Sequence, residues 1–198
     1  MTGEGLFIVF EGIDGSGKTT QIEMLRDYFM EKGYKVNLTK EPTEDLIGSI
    51  LWKYMKSKER SLAPETEALL FAADRIEHGK WISDIQKRGE IVISDRYLHS
   101  SLAYQGAAGV ELDWIRLLNN QALKPDIVIL LDIGPDSSLE RVIDRARTVF
   151  EENNYLMKVR ELYLNFADKG ELVVVDATQN IEKVHSDIKK QIESLGLV

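Results

Sequence analysis

The segment Gly12-Ile-Asp-Gly-Ser-Gly-Lys-Thr19 spaces two glycines, a lysine and a hydroxyl residue as G-x-x-x-x-G-K-[ST]. Glycines let backbone N–H groups turn inward around phosphate oxygens, and the start of a following helix adds positive potential. On this reading the loop from Gly12 through Ile13, Asp14, Gly15, Ser16 and Gly17 to Thr20 wraps the phosphates of a nucleoside triphosphate. Lys18 then reaches the β- and γ-phosphates, and Thr19 ligates Mg²⁺. An unliganded glycine-rich turn is the plain alternative. The apolar run before the loop and the helical pattern after it argue against that alternative. Asp14 raises a question, because a phosphate cradle repels a carboxylate: it must meet a donor that is not a phosphate, or only shape its own turn.

A second chemical pair stands in "IVISDR", where Asp95 is followed by Arg96. An N-K-x-D motif for reading guanine does not occur, which argues against a GTPase. A water-activating ATPase is expected to carry a second acid after Asp95, and here the position holds a cation. Arg96 suits a second anionic substrate. A surface ion pair at a strand end explains the same two residues, and strand position alone leaves both readings open.

These residues need a frame. Short apolar runs at Leu6–Phe10, Val36–Thr39, Ile91–Ser94, Ile127–Leu131 and Leu172–Val175 read as strands buried on both faces. Helical patterns fill the intervals at Thr19–Lys32, Leu46–Lys56, Pro64–Lys87, Leu112–Ala122, Ser137–Arg147, Tyr155–Lys169 and Ile181–Leu195. Pro64 suits a first helical turn, and Gly33 and Gly170 suit helix ends. The alternation predicts an α/β fold around a parallel sheet, with ligands at the carboxyl ends of the strands. The polar stretch Arg145–Asn154 reads as a mobile segment between two helices.

The bulk properties set bounds. A chain of 198 residues, 43% hydrophobic and 29% charged, suits one domain with a sizeable core. A net charge of -8 argues against a general nucleic-acid binder. There are no cysteines, which removes disulfides and thiolate metal sites. The opening "MTGEGLFIVFEG" is too acidic and too short for a signal peptide, and no apolar run approaches the roughly 18 residues of a membrane span. The expected location is the cytoplasm.

Four segments resemble one family. "ISDRYLHSSLAYQG", Ile93–Gly106, is similar to the signature of thymidylate kinases; "LLFAADR", Leu69–Arg75, resembles their thymine-facing helix. "TKEP", Thr39–Pro42, and "DATQNIEKV", Asp176–Val184, resemble the family's loop after the second strand and its last strand–helix turn. The resemblance spans nearly the whole chain in family order. It implies a P-loop nucleoside monophosphate kinase fold in three layers, with a five-stranded parallel sheet. It implies one kinase domain over residues 1–198 with a lid over about 141–154, and a homodimer. The implied reaction moves the γ-phosphoryl of ATP to dTMP, giving dTDP and ADP on the way to dTTP. Another P-loop kinase acting on a different nucleotide is the nearest alternative, and a nucleotide-dependent switch is the one from another class.

The resemblance also implies roles. Asp14 hydrogen-bonds the 3′-hydroxyl of the acceptor, with nearby arginines offsetting its charge. Phe71 and Arg75 lie four apart and share a helix face, where Phe71 stacks on the thymine and Arg75 meets a base carbonyl. Ser101 faces the pyrimidine edge, Tyr104 stands beside the sugar where it disfavours a 2′-hydroxyl, and Gln105 reaches the base side. Ser100 is structural. Glu41 and Pro42 belong to the acceptor side, and Glu41 organises either the acceptor or the metal. Asp95 helps hold Mg²⁺. Lys18 and Arg96 supply catalytic charge. Some family members carry an arginine directly after the loop acid; here that slot is Gly15, so the further catalytic cation is expected from the lid, at Arg145 or Arg147 rather than Arg141.

Overall fold

The computed structural model describes residues 5–57, 59, 61–140, 153–194 and 196. The central strand β1, Phe7–Glu11, is buried along its whole length. It pairs in parallel with β3, Ile91–Asp95, in the register Phe7↔Val92, and with β4, Ile127–Asp132, in the register Ile8↔Ile127. Strand β2, Val36–Lys40, adds outside β3, and β5, Val173–Asp176, outside β4. The five-stranded parallel sheet has the order β2-β3-β1-β4-β5.

Two expectations about strands need correction. Each strand ends one residue later than its apolar run, on Glu11, Lys40, Asp95, Asp132 and Asp176. These charged residues stand at the carboxyl ends of the strands, the side on which an α/β sheet meets its ligands. The edge strands are not buried on both faces: Leu38 of β2 and Val174 of β5 are 38% and 43% exposed, since an edge has a neighbour on one side only.

Chain direction places the helices. The connection from β1 to β2 runs one way along the sheet, and those leading to β3, β4 and β5 run the other way. Right-handed crossovers therefore put the first helix on one face and the middle helices on the opposite one. Helix α1, Lys18–Glu31, packs with the last helix, α8, Ile181–Ser194. On the other face lie α3, Pro64–Gln86; α4, Leu98–Ala107; α5, Leu112–Leu118; and α7, Asn153–Asp168. Helix α2, Leu46–Lys56, packs on α3, and the short α6, Pro135–Glu140, on α7. Pro64 occupies the first turn of α3, where its missing N–H has no intrahelical partner to lose.

Helix α4 has no counterpart in the hydrophobic pattern. Its buried residues include His99, Ser101 and Gln105 beside Leu102 and Ala103, so the inward face reads as polar. Helix α5 stops at Leu118 rather than Ala122, and Asn119 caps it. Helix α6 begins two residues before Ser137. Its expected end at Arg147, the lid from 141 to 152, and Arg141, Arg145 and Arg147 lie outside the described residues; the lid's last two expected residues, Asn153 and Asn154, begin α7.

Candidate active site

The phosphate loop joins β1 to α1, the centre of the sheet, where the connections on either side leave in opposite directions. Gly12 has φ 141°, and a Cβ there would stand 2.8 Å from the Leu131 carbonyl oxygen and 2.8 Å from Ser16 Oγ. Gly17, at φ 93°, turns the chain into α1. Gly15 is also left-handed at φ 81°, so the slot after Asp14 favours glycine over a residue with a side chain. Lys18 is buried and donates to the Gly12 and Ile13 carbonyl oxygens at 3.0 and 3.2 Å. Burial, and secondarily the Arg96 charge, push its ammonium below the usual lysine range, while Asp95 and Asp14 oppose the shift. Ser16 Oγ is buried without a hydrogen-bond partner among the described residues, as a cradle for an anion would leave it. Thr19 and Thr20 are exposed on the first turn of α1.

A divalent cation fits the same end of the sheet. Asp95 Oδ1 is buried, has no hydrogen-bond partner among the described residues and lies 4.0 Å from Lys18 Nζ. An orphaned carboxylate oxygen and the exposed Thr19 hydroxyl are hard donors of the kind Mg²⁺ takes. Among the described residues no cluster of three or more acidic or histidine ligands occurs. That is compatible with a metal held chiefly by substrate phosphates.

Asp14 meets an arginine. Arg96 Nη2 donates to Asp14 Oδ1 at 2.6 Å, Nη1 to Ser100 Oγ at 3.1 Å, and Nη2 reaches the Tyr104 hydroxyl at 3.3 Å. The guanidinium also lies 5.0 Å from the centre of the Tyr104 ring. Arg96 is thus engaged with Asp14 rather than with its sequence neighbour Asp95. Burial raises the Tyr104 phenol to about 12, and the Asp14 charge adds to the shift, so the ring stays neutral. Ser100 is more than a helix residue. Its Oγ donates to Glu11 Oε2 at 2.6 Å while accepting from Arg96. Glu11 is fully buried and also accepts from Tyr97 N, Ser100 N and Tyr163 Oη. One carboxylate thereby ties the end of β1, the first turn of α4 and helix α7 to the arginine.

Beside the loop opens a cleft of about 190 Å³. It is lined by Asp14, Glu41, Pro42, Phe71, Arg75, Arg96, Ser101, Tyr104 and Gln105, so every residue expected on the acceptor side is brought to one place. Trp52, Met55, Tyr97 and Ser100 line it too. Trp52 and Met55 belong to α2, where an apolar residue carries no mark distinguishing a cleft wall from a core. Trp52 is fixed by donating its indole N–H to the Pro42 carbonyl at 3.0 Å. Phe71 and Arg75 share the cleft face of α3, as their spacing predicts. Arg75 is 1% exposed and donates to Glu41, Asn119, Ser101 and the Tyr97 carbonyl. Both Glu41 oxygens are engaged, one by Arg75 and one by His78. Gln105 Oε1 is buried and unpartnered among the described residues.

The comparisons with known proteins bear on this geometry. A family model described as thymidylate kinase matches residues 10–188. The chain belongs to the thymidylate kinase family. A "Probable thymidylate kinase" of Thermococcus onnurineus is 45% identical over 95% of this chain and 97% of that protein. One of Pyrococcus horikoshii is 45% identical over 98% and 99%, and one of Methanocaldococcus jannaschii 44% over 93% and 94%. Thymidylate kinase membership accords with a parallel sheet carrying a phosphate loop on its central strand and a second cleft beside it. Among the described residues no helix is long and apolar enough to cross a membrane.

Proposed function

We propose that the protein transfers the γ-phosphoryl group of ATP to the 5′-phosphate of dTMP, yielding dTDP and ADP as a step toward dTTP. The observation that carries this reading is the cleft. Asp14, Phe71, Arg75, Ser101 and Tyr104, drawn from distant parts of the chain, line one opening beside the phosphate loop, and Arg96 bridges the two.

An oxygen of the acceptor phosphate bonds to the γ-phosphorus as the bond to the β–γ bridging oxygen breaks, and ADP leaves with that electron pair. The acceptor oxygen is already anionic at neutral pH, so no strong base is needed. The difficulty is bringing two polyanions together in line. Lys18 and Arg96 supply fixed positive charge on either side of the transferred group. Asp14 takes the 3′-hydroxyl, Phe71 stacks on the base, and Arg75 donates to a base carbonyl, with Gln105, Pro42 and Glu41 completing that end. Neutral Tyr104 stands beside the sugar and disfavours a 2′-hydroxyl. Thr19 and Asp95 would hold Mg²⁺, which neutralises phosphate charge when bound. The remaining catalytic cation comes from the lid, at Arg145 or Arg147. The whole chain acts as one kinase domain with a lid at about 141–154, in the cytoplasm. Exposed apolar side chains on α2 and α3, among them Leu46, Ile50, Leu69, Ile76 and Trp81, support a homodimer.

The test is ADP release with ATP, Mg²⁺ and a panel of monophosphates. A cleft that hydrogen-bonds its base should favour dTMP over dCMP, dGMP and AMP by ~100-fold or more in kcat/KM. Equal turnover with another monophosphate overturns the substrate, and activity undiminished by chelation overturns the metal.

A further inference from the structure

Arg75 is held by a set of buried acceptors, some in the cleft wall and some behind it. A guanidinium has five N–H donors. The Nε donor goes to Glu41 Oε2 at 2.9 Å, and Nη2 serves Glu41 Oε2 at 2.6 Å, Ser101 Oγ at 3.0 Å and the Tyr97 carbonyl at 3.1 Å. One Nη1 donor goes to Asn119 Oδ1 at 2.6 Å. Among the described residues a single Nη1 N–H remains unused. The ring of Tyr97 lies 5.2 Å from the guanidinium carbon.

The direction of that last donor depends on two side chains outside the cleft lining. Asn119 is 5% exposed and donates its own amide nitrogen to the Ile115 carbonyl at 2.8 Å, which turns its oxygen toward Arg75. His78 is 4% exposed and lies 2.9 Å through Nδ1 from Glu41 Oε1. The carboxylate only accepts there, so Nδ1 donates to it, and Nε2 lies 2.7 Å from the Thr39 hydroxyl. Trp81 stacks on the imidazole at 6.0 Å between ring centres. His78 thus fixes Glu41 on one oxygen while Glu41 fixes Arg75 with the other.

We propose that His78 and Asn119 are positioning residues for Arg75, restricting it to one N–H aimed at the base and so setting the preference for a carbonyl over an amino group at the pyrimidine 4-position. The inference rests on the dTMP reading of the cleft. A thymine 4-carbonyl accepts from that donor; a cytosine 4-amino group meets it donor to donor. Without either support the planar guanidinium can turn as a whole and carry that donor away from the base, and the distinction weakens.

The experiment measures kcat and KM for dTMP and dCMP at saturating ATP, the KM for ATP, and Tm, in the wild type and in His78→Ala, His78→Asn and Asn119→Ala. Each alanine variant should raise the dTMP KM about ten- to a hundredfold, the range of one hydrogen bond to a charged group. The dTMP-to-dCMP ratio in kcat/KM should fall by a similar factor, with the ATP KM within about threefold of wild type. His78→Asn, whose amide nitrogen can donate to Glu41 in place of Nδ1, should recover most of the ratio. The two residues stand on different elements, so either carries the test if the other variant fails to fold. A folded alanine variant with lowered Tm but with dTMP KM and ratio within about twofold of wild type makes the residue merely structural and overturns the inference. A wild type that does not prefer dTMP to dCMP overturns the functional reading instead.

Discussion

Replacing Asp14 with Asn separates two explanations of a carboxylate in a phosphate loop. The side chain is 57% exposed, with Arg96 at 2.6 Å and Lys18 at 4.0 Å. An ion pair so exposed contributes about 0–1 kcal/mol, so Asp14→Asn should shift Tm by no more than about 4 °C. Asn keeps a side-chain oxygen that can support the same turn. What it loses is the charge on the acceptor proposed for the sugar hydroxyl. A hydrogen bond to a charged group is worth about 1.5–3 kcal/mol and a neutral one about 0.5–1.5, so the difference is about 1–2 kcal/mol. That corresponds to about a 5- to 30-fold fall in kcat/KM for dTMP. The 3′-deoxy analogue of dTMP has no hydroxyl to lose and should fall by less than about threefold, with the ATP KM similarly steady. Steady-state ADP release with both acceptors decides the matter. Equal losses with the two acceptors, or a tenfold rise in the ATP KM, would show that the carboxylate serves the loop or Lys18 and not the sugar.

Other perturbations address the supports. Glu11→Ala leaves Tyr97 N–H, Ser100 N–H and the hydroxyls of Ser100 and Tyr163 without their buried acceptor, and should cost at least about 3 kcal/mol in urea unfolding; a loss under about 1 kcal/mol would refute the network's structural weight. Burial holds the His99 imidazole below its usual 6.5, against the pull of Glu11 and Glu171. The unfolded chain therefore binds the extra proton first, and the stability His99 contributes is full above pH 6.5 and lost as pH falls through that value toward the lower folded one. Tm should drop more between pH 7.5 and pH 5.5 in the wild type than in His99→Gln, and equal slopes would assign the acid sensitivity to other groups. The Arg145→Ala/Arg147→Ala double variant should lower kcat on the order of 10³-fold with little change in either KM, and Arg141→Ala much less; near-normal kcat in the folded double variant would place the cation elsewhere.

The parts of the site visible in the sequence are those whose chemistry is local. The loop is legible because glycine, lysine and threonine do their work within eight consecutive residues, Gly12 to Thr19. Strand interiors are legible as apolar runs, but their last residues are not. Glu11, Asp95 and Asp132 are strand residues that hydrophobicity assigns to loops. Helix α4 vanishes for the same reason, since His99, Ser101 and Gln105 make its buried face polar. The support behind Arg75 was only half hidden. Arg75 and His78 lie three apart and so share a face of α3, a signal present in "DRIEH". What no spacing announces is that Glu41, from the loop after β2, inserts its carboxylate between them.

Backbone geometry at the end of β3 separates the loop from the cleft. Arg96 has φ 74°, a left-handed conformation that costs a non-glycine residue roughly 1–2 kcal/mol. A surface arginine offering only a diffuse charge would have no reason to keep that cost. Here the peptide is pinned on both sides: Arg96 N donates to the Phe10 carbonyl at 2.8 Å, and Ser94 Oγ donates to the Arg96 carbonyl at 2.7 Å. The turn lets consecutive residues face different partners. Asp95 stands 4.0 Å from Lys18 on the side of the phosphate loop, while Arg96 lies against Asp14, Ser100 and Tyr104 on the side of the cleft. One strained residue thus turns a carboxylate toward the phosphate loop and a cation toward the cleft. The carboxylate of Asp14, out of place among phosphates, lies 2.6 Å from that cation at the boundary between the two.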